Sequence, residues 1–314
     1  MSRTMRAIGQ DGFGGPEVLK VVEVERPVPG VAEVLVRVHA AGVNPTDTWH
    51  RGSGGLGGEV VRLGWDLSGV VEAVGIGVTT LAPGDEVFGM PRHPLPAGAY
   101  AQYVTSPARH LVRKPAALGH VEAAALPLAA MTAWQALVDT ADVRPGQRVL
   151  IHAAAGGVGH LAVQIAKARG AHVIGTARAA KHAFLRGLGA DELVDYTAVD
   201  FETALAPVDV VLDTIGGEYG PRSLRVLRPG GLLVSLASPA EARLAEVARP
   251  LGVRAGFMAV EADQAGLREV AALVVAGLLR PEVAAVFPLE RADEAHRLSE
   301  TRGTTGKIVL SVAG

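Results

Sequence analysis

Apolar residues follow two different spacings along this chain of 314 residues, and the spacing changes near residue 121. Before that point, short segments alternate apolar and polar positions between Gly and Pro turns, as antiparallel strands do. Such strands are expected at residues 5–9, 18–24, 34–38, 66–74, 85–89 and 99–105. Many short strands with regular turns predict a small closed or rolled β domain.

Beyond residue 121, alanine-rich helices with a break at Pro127 lead into alternating strand and helix signals. Strands are expected at residues 148–153, 172–176, 192–196, 208–213, 231–237 and 253–258. This alternation is typical of a parallel sheet with helices on both faces, whose ligand binds at the carboxyl ends of the strands. A return to strands at 283–287 and 307–312 predicts that the C-terminal part rejoins the first domain.

The segment RVLIHAAAGGVGHLAVQIAKARG, residues 148–170, is interpreted as a strand, a tight turn and a helix. Glycines in such a turn let backbone N–H groups approach a pyrophosphate, and the positive end of the helix dipole faces its charge. Against the dinucleotide template G-x-G-x-x-G, Ala154 takes the first place, and Gly156 and Gly159 take the second and third. Turns of this kind also occur for packing reasons, so the motif leaves both interpretations open.

The strand that ends at Thr176 adds information about the cofactor. The template expects an Asp or Glu about 20 residues after the glycines, where it binds the ribose hydroxyls. Arg178 stands at that place, and a guanidinium pairs with a 2′-phosphate through two charge-assisted hydrogen bonds. Lys181 follows within one turn, and Tyr196 comes near the same sheet edge. The pattern predicts NADPH rather than NADH; the alternative is that Arg178 and Lys181 are ordinary surface residues.

Composition narrows the class of protein. The length predicts two domains, and a net charge of −2 without a basic run argues against a nucleic-acid partner. No apolar run approaches the roughly 18 residues of a membrane span, and the first residues lack the apolar core of a signal peptide, so we expect a cytoplasmic protein. The chain has no cysteine, which excludes disulfides, a thiolate nucleophile and thiolate-bound zinc.

Residues 146–167, GQRVLIHAAAGGVGHLAVQIAK, resemble the signature of the quinone oxidoreductase and zeta-crystallin branch of the medium-chain dehydrogenase/reductase superfamily. Ordered blocks along nearly the whole chain resemble it too, among them EVLVRVHAAGVNPTD, GWDLSGVVEAVGIGV, PGDEVFGM, LDTIGG and LRPGGLLVSLAS. The resemblance implies an α/β fold with a GroES-like catalytic domain at 1–120, completed by 259–314, and a Rossmann domain at 121–258. It also implies the nicotinamide in the cleft between these domains and a homodimer joined through the edges of the Rossmann sheets.

The resemblance further implies roles for single residues. Gly156, Gly157 and Val158 match the pyrophosphate turn, Thr132 matches a threonine that faces the nicotinamide, and Asn44 matches a polar residue beside the ribose and carboxamide. The predicted cofactor-binding residues are Asn44, Thr132, Gly156, Gly157, Val158, Thr176, Arg178, Lys181, Tyr196, Ile215, Leu236 and Phe257. Asn44 and Thr132 are also the predicted catalytic residues.

Several positions depart from related families. Zinc alcohol dehydrogenases of this superfamily carry a cysteine near position 44 and a His-Glu pair near 65 and 66, whereas this chain has Asn44, Trp65 and Asp66. No metal is therefore predicted. Some quinone reductases have a tyrosine where this chain has Trp49, so no tyrosine proton donor is assigned. The turn at Arg178 is one residue shorter than in some of them.

The principal hypothesis is hydride transfer from NADPH to a quinone, or to the activated C=C bond of an enone or enal. Asn44 and the Thr132 hydroxyl are the preferred donors to the developing negative charge, ahead of Asp47, His50 and His93. One alternative is a zinc alcohol dehydrogenase, and another is an NADPH-binding protein with a structural or regulatory role and no turnover. The loops at 52–58 and 90–98 are expected to shape the pocket of a small-molecule substrate.

Overall fold

The computed structural model describes residues 3–55, 57 and 62–312, so residues 56 and 58 of the predicted pocket loop lie outside the described residues. The chain divides into two compact units. One comprises Met1–Met131, Glu261–Gly277 and Pro281–Gly314, and the other comprises Thr132–Val260 and Leu278–Arg280.

The elements are numbered in chain order. The strands are β1 (Thr4–Gly9), β2 (Lys20–Glu25), β3 (Glu33–Val43), β4 (Leu67–Val74), β5 (Glu86–Gly89), β6 (Tyr103–Pro107), β7 (Leu111–Arg113), β8 (Arg148–Ile151), β9 (His172–Thr176), β10 (Glu192–Val194), β11 (Val208–Asp213), β12 (Leu227–Ser235), β13 (Arg254–Phe257), β14 (Val283–Pro288) and β15 (Lys307–Ser311). The helices are α1 (Pro45–Ser53), α2 (His120–Ala124), α3 (Pro127–Trp134), α4 (Gly159–Ala168), α5 (His182–Gly187), α6 (Phe201–Ala204), α7 (Tyr219–Arg225), α8 (Leu244–Ala248), α9 (Gln264–Val275) and α10 (Ala292–Glu300).

The first unit is built on a sheet with the strand order β14-β15-β3-β4-β5-β7, in which β6 also pairs with β3. Neighbouring strands are antiparallel except for the parallel pair β14 and β15. Because β15 pairs with β3, the C-terminal part does rejoin the N-terminal strands. The predicted domain boundary at 120/121 lies at the start of α2, whereas α2 packs on β3 and β4 and stays with this unit.

The strand expected at 99–105 is displaced, since β6 begins only at Tyr103. The backbone before it bonds to two other segments: Ala99 and Tyr100 donate to carbonyls at 64 and 63, and the carbonyl of Tyr100 accepts from Ile8. The carbonyls at 63 and 64 lie outside any strand, so these bonds form no regular ladder before Tyr103. The three-residue strand β7 was not predicted, because it is too short to show an alternating pattern.

The second unit contains a wholly parallel sheet with the order β10-β9-β8-β11-β12-β13. Every residue of β11 is buried, as expected for a central strand of a parallel sheet with both faces covered. The chain order reverses between β8 and β11, which makes the carboxyl ends of these strands the topological switch point where such sheets bind ligands. The predicted α/β architecture, a β-rich unit and a parallel sheet with alternating helices, is confirmed.

Among the described residues, no helix has both the length and the apolar character needed to cross a membrane.

Candidate active site

In the turn between β8 and α4, the backbone at Gly159 packs directly against the backbone of Ala153 and Ala154. A Cβ atom at this position would lie 2.4 Å from the Ala153 carbonyl oxygen and 2.7 Å from the Cα of Ala154, so only glycine fits. The Gly156 N–H donates to the same carbonyl at 2.8 Å and closes the turn. Within the described part of the chain, the half-buried N–H groups of Gly157 and Val158 have no acceptor, so they are available to an anion at the start of α4.

Ala154 stands where the dinucleotide template has its first glycine, and the structure shows why an alanine fits. Its N–H donates to the Thr176 carbonyl at 3.0 Å, which holds the turn against β9. The residue facing it on β9 is Gly175, where an added Cβ would lie 2.9 Å from the Ala154 Cβ. The missing side chain at Gly175 therefore provides the space that Ala154 occupies.

Thr176 lies fully buried behind the same turn. Its hydroxyl accepts the Ala153 N–H at 3.2 Å and lies 3.2 Å from Nδ1 of His152, whose Nε2 is 2.9 Å from the Ser223 hydroxyl. Burial lowers the pKa of His152 to about 3, and the positive charge of Arg222 contributes. The neutral ring has one donor and one acceptor nitrogen, which bond to Thr176 and Ser223. Sequence analysis missed this support for the turn, because a lone histidine in a strand carries no pattern.

Arg178, Lys181 and Tyr196 come together beyond the end of β9. The Arg178 Nε donates to the Tyr196 hydroxyl at 3.2 Å, and partial burial, with Arg178 adding to it, lowers the pKa of Lys181. No carboxylate among the described residues forms an ion pair with the exposed Arg178 guanidinium. Asp195 lies nearby but accepts from the Ala179 and Thr197 N–H groups and the Thr197 hydroxyl. This cluster can receive an anion.

Ile215, Leu236 and Phe257 lie at the carboxyl ends of three adjacent strands, β11, β12 and β13. Ile215 is 42% exposed, and the other two are half-buried. The turn that carries Ile215 is fixed by Asp213, whose Oδ1 accepts from the N–H groups of Ile215 at 2.9 Å and Gly216 at 3.0 Å. Burial, with the charge of Glu241 adding to it, raises the pKa of Asp213. The three predicted apolar residues therefore share one sheet edge.

Asn44 lies in the first unit and Thr132 in the second. Thr132 is buried in α3. Asn44 directly precedes α1, and its Nδ2 donates to Oδ2 of Asp66 at 2.8 Å. Its Oδ1 accepts from Nζ of Lys307, which also donates to the Val43 carbonyl at 3.1 Å and lies 3.5 Å from the Asp66 carboxylate. All of these side chains are buried.

Asp47, in the first turn of α1, holds the backbone at Asn44 and at Gly64 through hydrogen bonds. Its two oxygens accept from the N–H groups of Asn44 at 2.8 Å and Gly64 at 2.9 Å. Burial raises the pKa of Asp47 to about 7, and the negative charge of Asp66 contributes, while the two N–H donors oppose the shift. The carboxyl group therefore holds the backbone around Asn44 at the start of α1.

The two histidines considered as weak donors flank Trp65. The His50 ring lies 4.6 Å from the Trp65 ring and bonds to the Thr46 carbonyl at 2.8 Å, and the His93 ring lies 6.1 Å from Trp65. The Trp65 Nε1 donates to the Leu95 carbonyl at 2.9 Å, so the predicted pocket segment 90–98 is held by this side chain. Trp49 is 43% exposed.

Lys307 is the main residue of this site that sequence analysis overlooked. The sequence analysis includes it only as the first residue of the strand expected at 307–312. The signal was a lysine at the start of the apolar strand β15, whose first four residues are buried, an unfavourable place for an ammonium without partners. Among the residues that the structure describes, no group of three His, Asp or Glu side chains is arranged to hold a metal ion.

A GroES-like unit with a buried polar cluster and a Rossmann-like unit with a glycine turn are the two parts of a dehydrogenase that uses a nicotinamide cofactor. The chain belongs to the medium-chain dehydrogenase/reductase family. Residues 30–116 match the model of the alcohol dehydrogenase GroES-like domain, and residues 188–310 match that of the zinc-binding dehydrogenase.

Relatives of this chain include enzymes of similar length and parts of much larger ones. It is 33% identical to the quinone oxidoreductase of Sus scrofa, with 98% of each chain covered. It is 36% identical to the 2-haloacrylate reductase of a Burkholderia species, covering 95% of this chain and 96% of the reductase. It is also 37% identical, over 92% of its length, to the pikromycin polyketide synthase component PikAII of Streptomyces venezuelae, of which it spans only 8%.

Solved structures agree with this family. The quinone oxidoreductase from Coxiella burnetii is 38% identical, with a TM-score of 0.94 that covers 99% of this chain and 100% of that one. The Escherichia coli quinone oxidoreductase complexed with NADPH is 30% identical, with a TM-score of 0.87 over 98% and 100% of the two chains. The predicted family and fold are confirmed.

Proposed function

We propose that this protein is an NADPH-dependent oxidoreductase that reduces a quinone, or the activated C=C bond of an enone or enal, without zinc. The observation that carries the proposal is the guanidinium of Arg178, which lies beside Lys181 and Tyr196 without a carboxylate partner in the described part of the chain. An adenosine 2′-phosphate would supply the missing negative charge.

The residues around the parallel sheet fit the rest of this cofactor. The N–H groups of Gly157 and Val158 point from the start of α4, where a pyrophosphate binds favourably. Gly159 keeps the turn free of a side chain that would collide with its backbone. The remaining proposed cofactor contacts are Asn44, Thr132, Gly156, Ile215, Leu236 and Phe257. Thr176, which the sequence analysis also assigned to the cofactor, is fully buried and instead accepts the Ala153 N–H. When bound, this cofactor supplies a hydride for the electron-poor carbon of the acceptor.

Asn44 and Thr132 are proposed to donate hydrogen bonds to the acceptor oxygen, on which negative charge develops. Removing one such donor from an enzyme typically lowers kcat by about 100-fold to 1000-fold. The names of two relatives support this substrate class, because one is a quinone oxidoreductase and the other reduces a haloacrylate, whose C=C bond is activated by a carboxyl group. The anion that hydride transfer leaves on the acceptor oxygen would take its proton from water, so no dedicated acid side chain is required.

The side chains at the positions of the family's zinc ligands support a mechanism without zinc. The family positions of zinc ligands hold Asn44 and Trp65, and the Asp66 carboxylate already accepts from Asn44 and Leu128 and faces the Lys307 ammonium. A cationic ammonium at this place opposes a second cation. We also propose a homodimer joined through an edge of the parallel sheet, since among the described strands β13 has a neighbour on one side only, as β10 has at the opposite edge.

The test follows the absorbance of NADPH or NADH in the presence of 1,4-benzoquinone, 9,10-phenanthrenequinone, acrolein and methyl vinyl ketone. We expect oxidation with at least one acceptor and a lower KM for NADPH than for NADH. Arg178→Ala removes a charge-assisted contact, so it should raise the KM for NADPH by about tenfold to 100-fold and leave that for NADH nearly unchanged. Arg186→Ala, which removes an exposed arginine from α5, is the matched control.

Each part of the proposal has a distinct contrary result. An equal rise in both KM values would contradict the phosphate contact of Arg178. Tight NADPH binding without oxidation by any acceptor would favour the binding-protein alternative. Stoichiometric bound zinc together with alcohol oxidation would favour a zinc alcohol dehydrogenase.

A further inference from the structure

A lysine and an aspartate are buried together beside the side chain of Asn44. Lys307 is 3% exposed and Asp66 is 0% exposed, with their charged groups 3.5 Å apart. Removing two charges from water is costly, and well-packed apolar side chains often stabilise a protein at least as well. The arrangement therefore calls for a role besides packing.

We propose that Lys307 and Asp66 are positioning residues, which orient the Asn44 amide and strengthen it as a hydrogen-bond donor to the substrate oxygen. This inference deepens the proposed function and rests on it.

The two charges distinguish the two ends of the amide. An ammonium can only donate, so it must face Oδ1 of Asn44, and an ionised carboxylate can only accept, so it must face Nδ2. A flipped amide would place donor against donor and acceptor against acceptor. Lys307 and Asp66 thus select one orientation of a side chain that is otherwise nearly symmetric in shape.

This orientation leaves one N–H of the amide for a ligand. Asp66 accepts one Nδ2 hydrogen, and in the described part of the chain the other has no acceptor. A cation that binds the amide oxygen draws electron density from the nitrogen, which makes the remaining N–H a stronger donor. Lys307 thereby acts on the substrate oxygen through Asn44, without touching the substrate itself.

Both charged groups are held by the backbone. The Lys307 ammonium donates to the Val43 carbonyl at 3.1 Å, and the second Asp66 oxygen accepts from the Leu128 N–H at 2.6 Å. Gly42 leaves space for the carboxylate, since a Cβ there would lie 2.6 Å from Oδ2 of Asp66. A donor held in this way needs no reorientation as charge develops, which is the condition for strong electrostatic stabilisation.

The experiment compares four variants by steady-state kinetics with the best acceptor. Lys307→Met leaves the Asp66 charge buried and unpaired and can prevent folding, so the double variant K307M/D66N removes both charges together. We expect its kcat to fall by about tenfold or more, with the KM for NADPH within about twofold of wild type. Lys307→Arg retains a cationic donor and should recover part of kcat. Lys20→Met, at an exposed lysine of the same unit, should behave as wild type.

A double-mutant cycle with Asn44→Ala separates action through Asn44 from a general structural effect. If the inference holds, K307M/D66N combined with Asn44→Ala loses no more kcat than Asn44→Ala alone. Full multiplication of the two losses, or an unchanged kcat in K307M/D66N, overturns it.

A crystal structure of K307M/D66N gives a readout that does not depend on turnover. An Asn44 side chain that rotates or occupies two positions supports the inference, and an unchanged side chain overturns it. If none of the tested acceptors supports NADPH oxidation by the wild-type protein, the proposed function fails. The crystal structure of K307M/D66N then decides by itself whether Lys307 and Asp66 position Asn44.

Discussion

Replacing Gly159 by alanine tests whether the glycine turn is built on close backbone contact. The added Cβ would lie 2.4 Å from the Ala153 carbonyl oxygen and 2.7 Å from the Ala154 Cα, about 1 Å inside the 3.4 Å at which ordinary contact begins. Both neighbours are backbone atoms, so the clash cannot be relieved by rotating a side chain. Overpacking of a buried site costs about 1 to 3 kcal/mol, and we expect the upper end of this range.

The chain offers a matched control in the same unit. Gly187 ends α5, is exposed, and has no atom within 4 Å of an added Cβ. Alanine there should stabilise the protein by about 0.5 to 1 kcal/mol, because it restricts the unfolded chain and favours the helix. The same chemical change is therefore expected to have opposite signs at the two positions.

The measurement is urea unfolding of both variants, together with NADPH titration followed by cofactor fluorescence. Gly159→Ala should unfold at lower urea and bind NADPH at least tenfold more weakly, since a shift of about 1 Å moves the N–H groups of Gly157 and Val158. Gly187→Ala should bind as wild type does. A Gly159→Ala variant with wild-type stability and affinity would refute the assignment of this turn as a close-packed anion site.

Two further predictions concern pH. His152 gains a proton below its ordinary pKa of 6.5 in the unfolded chain, but only near pH 3 in the folded chain. The free energy of unfolding should therefore fall as pH falls from 6.5 towards 3, by about 1.4 kcal/mol per pH unit for this ring. Urea unfolding at pH 7.0, 5.5 and 4.5 should show a smaller slope for His152→Asn, and equal slopes would contradict the shift. For Asp47 the pH dependence has the opposite sign, because the folded state keeps the carboxyl proton up to about pH 7 while the unfolded state loses it above 3.8. The stability of the wild type relative to Asp47→Asn should therefore decrease as pH rises between these values. A constant difference in stability would contradict the raised pKa.

The parallel-sheet unit could be predicted closely because its signals are local. The strands at 172–176 and 208–213 have the predicted bounds, since buried parallel strands form short apolar runs between helices. Arg178, Lys181 and Tyr196 could be grouped because each follows the carboxyl end of a strand, and adjacent parallel strands end at one edge. The contact between Gly175 and Ala154 could not be predicted, because it depends on how β9 packs against the turn, where the missing side chain of Gly175 makes room for the Ala154 methyl group.

The β-rich unit was harder to predict, since its contacts join residues far apart in the chain. Asn44, Asp66 and Lys307 come from three segments, and only the pairing of β15 with β3 brings the last of them to the first. Hydropathy treats a lysine as a surface residue, so a buried ammonium is visible only as a misplaced charge at the start of an apolar strand. Burying such a charge costs desolvation free energy, and a folded protein tolerates this cost where partners hold the charged group in place. Here the partners are the Asn44 amide oxygen and the Asp66 carboxylate, beside the amide that we propose to donate to the substrate oxygen. For that reason the buried lysine is informative about the proposed function.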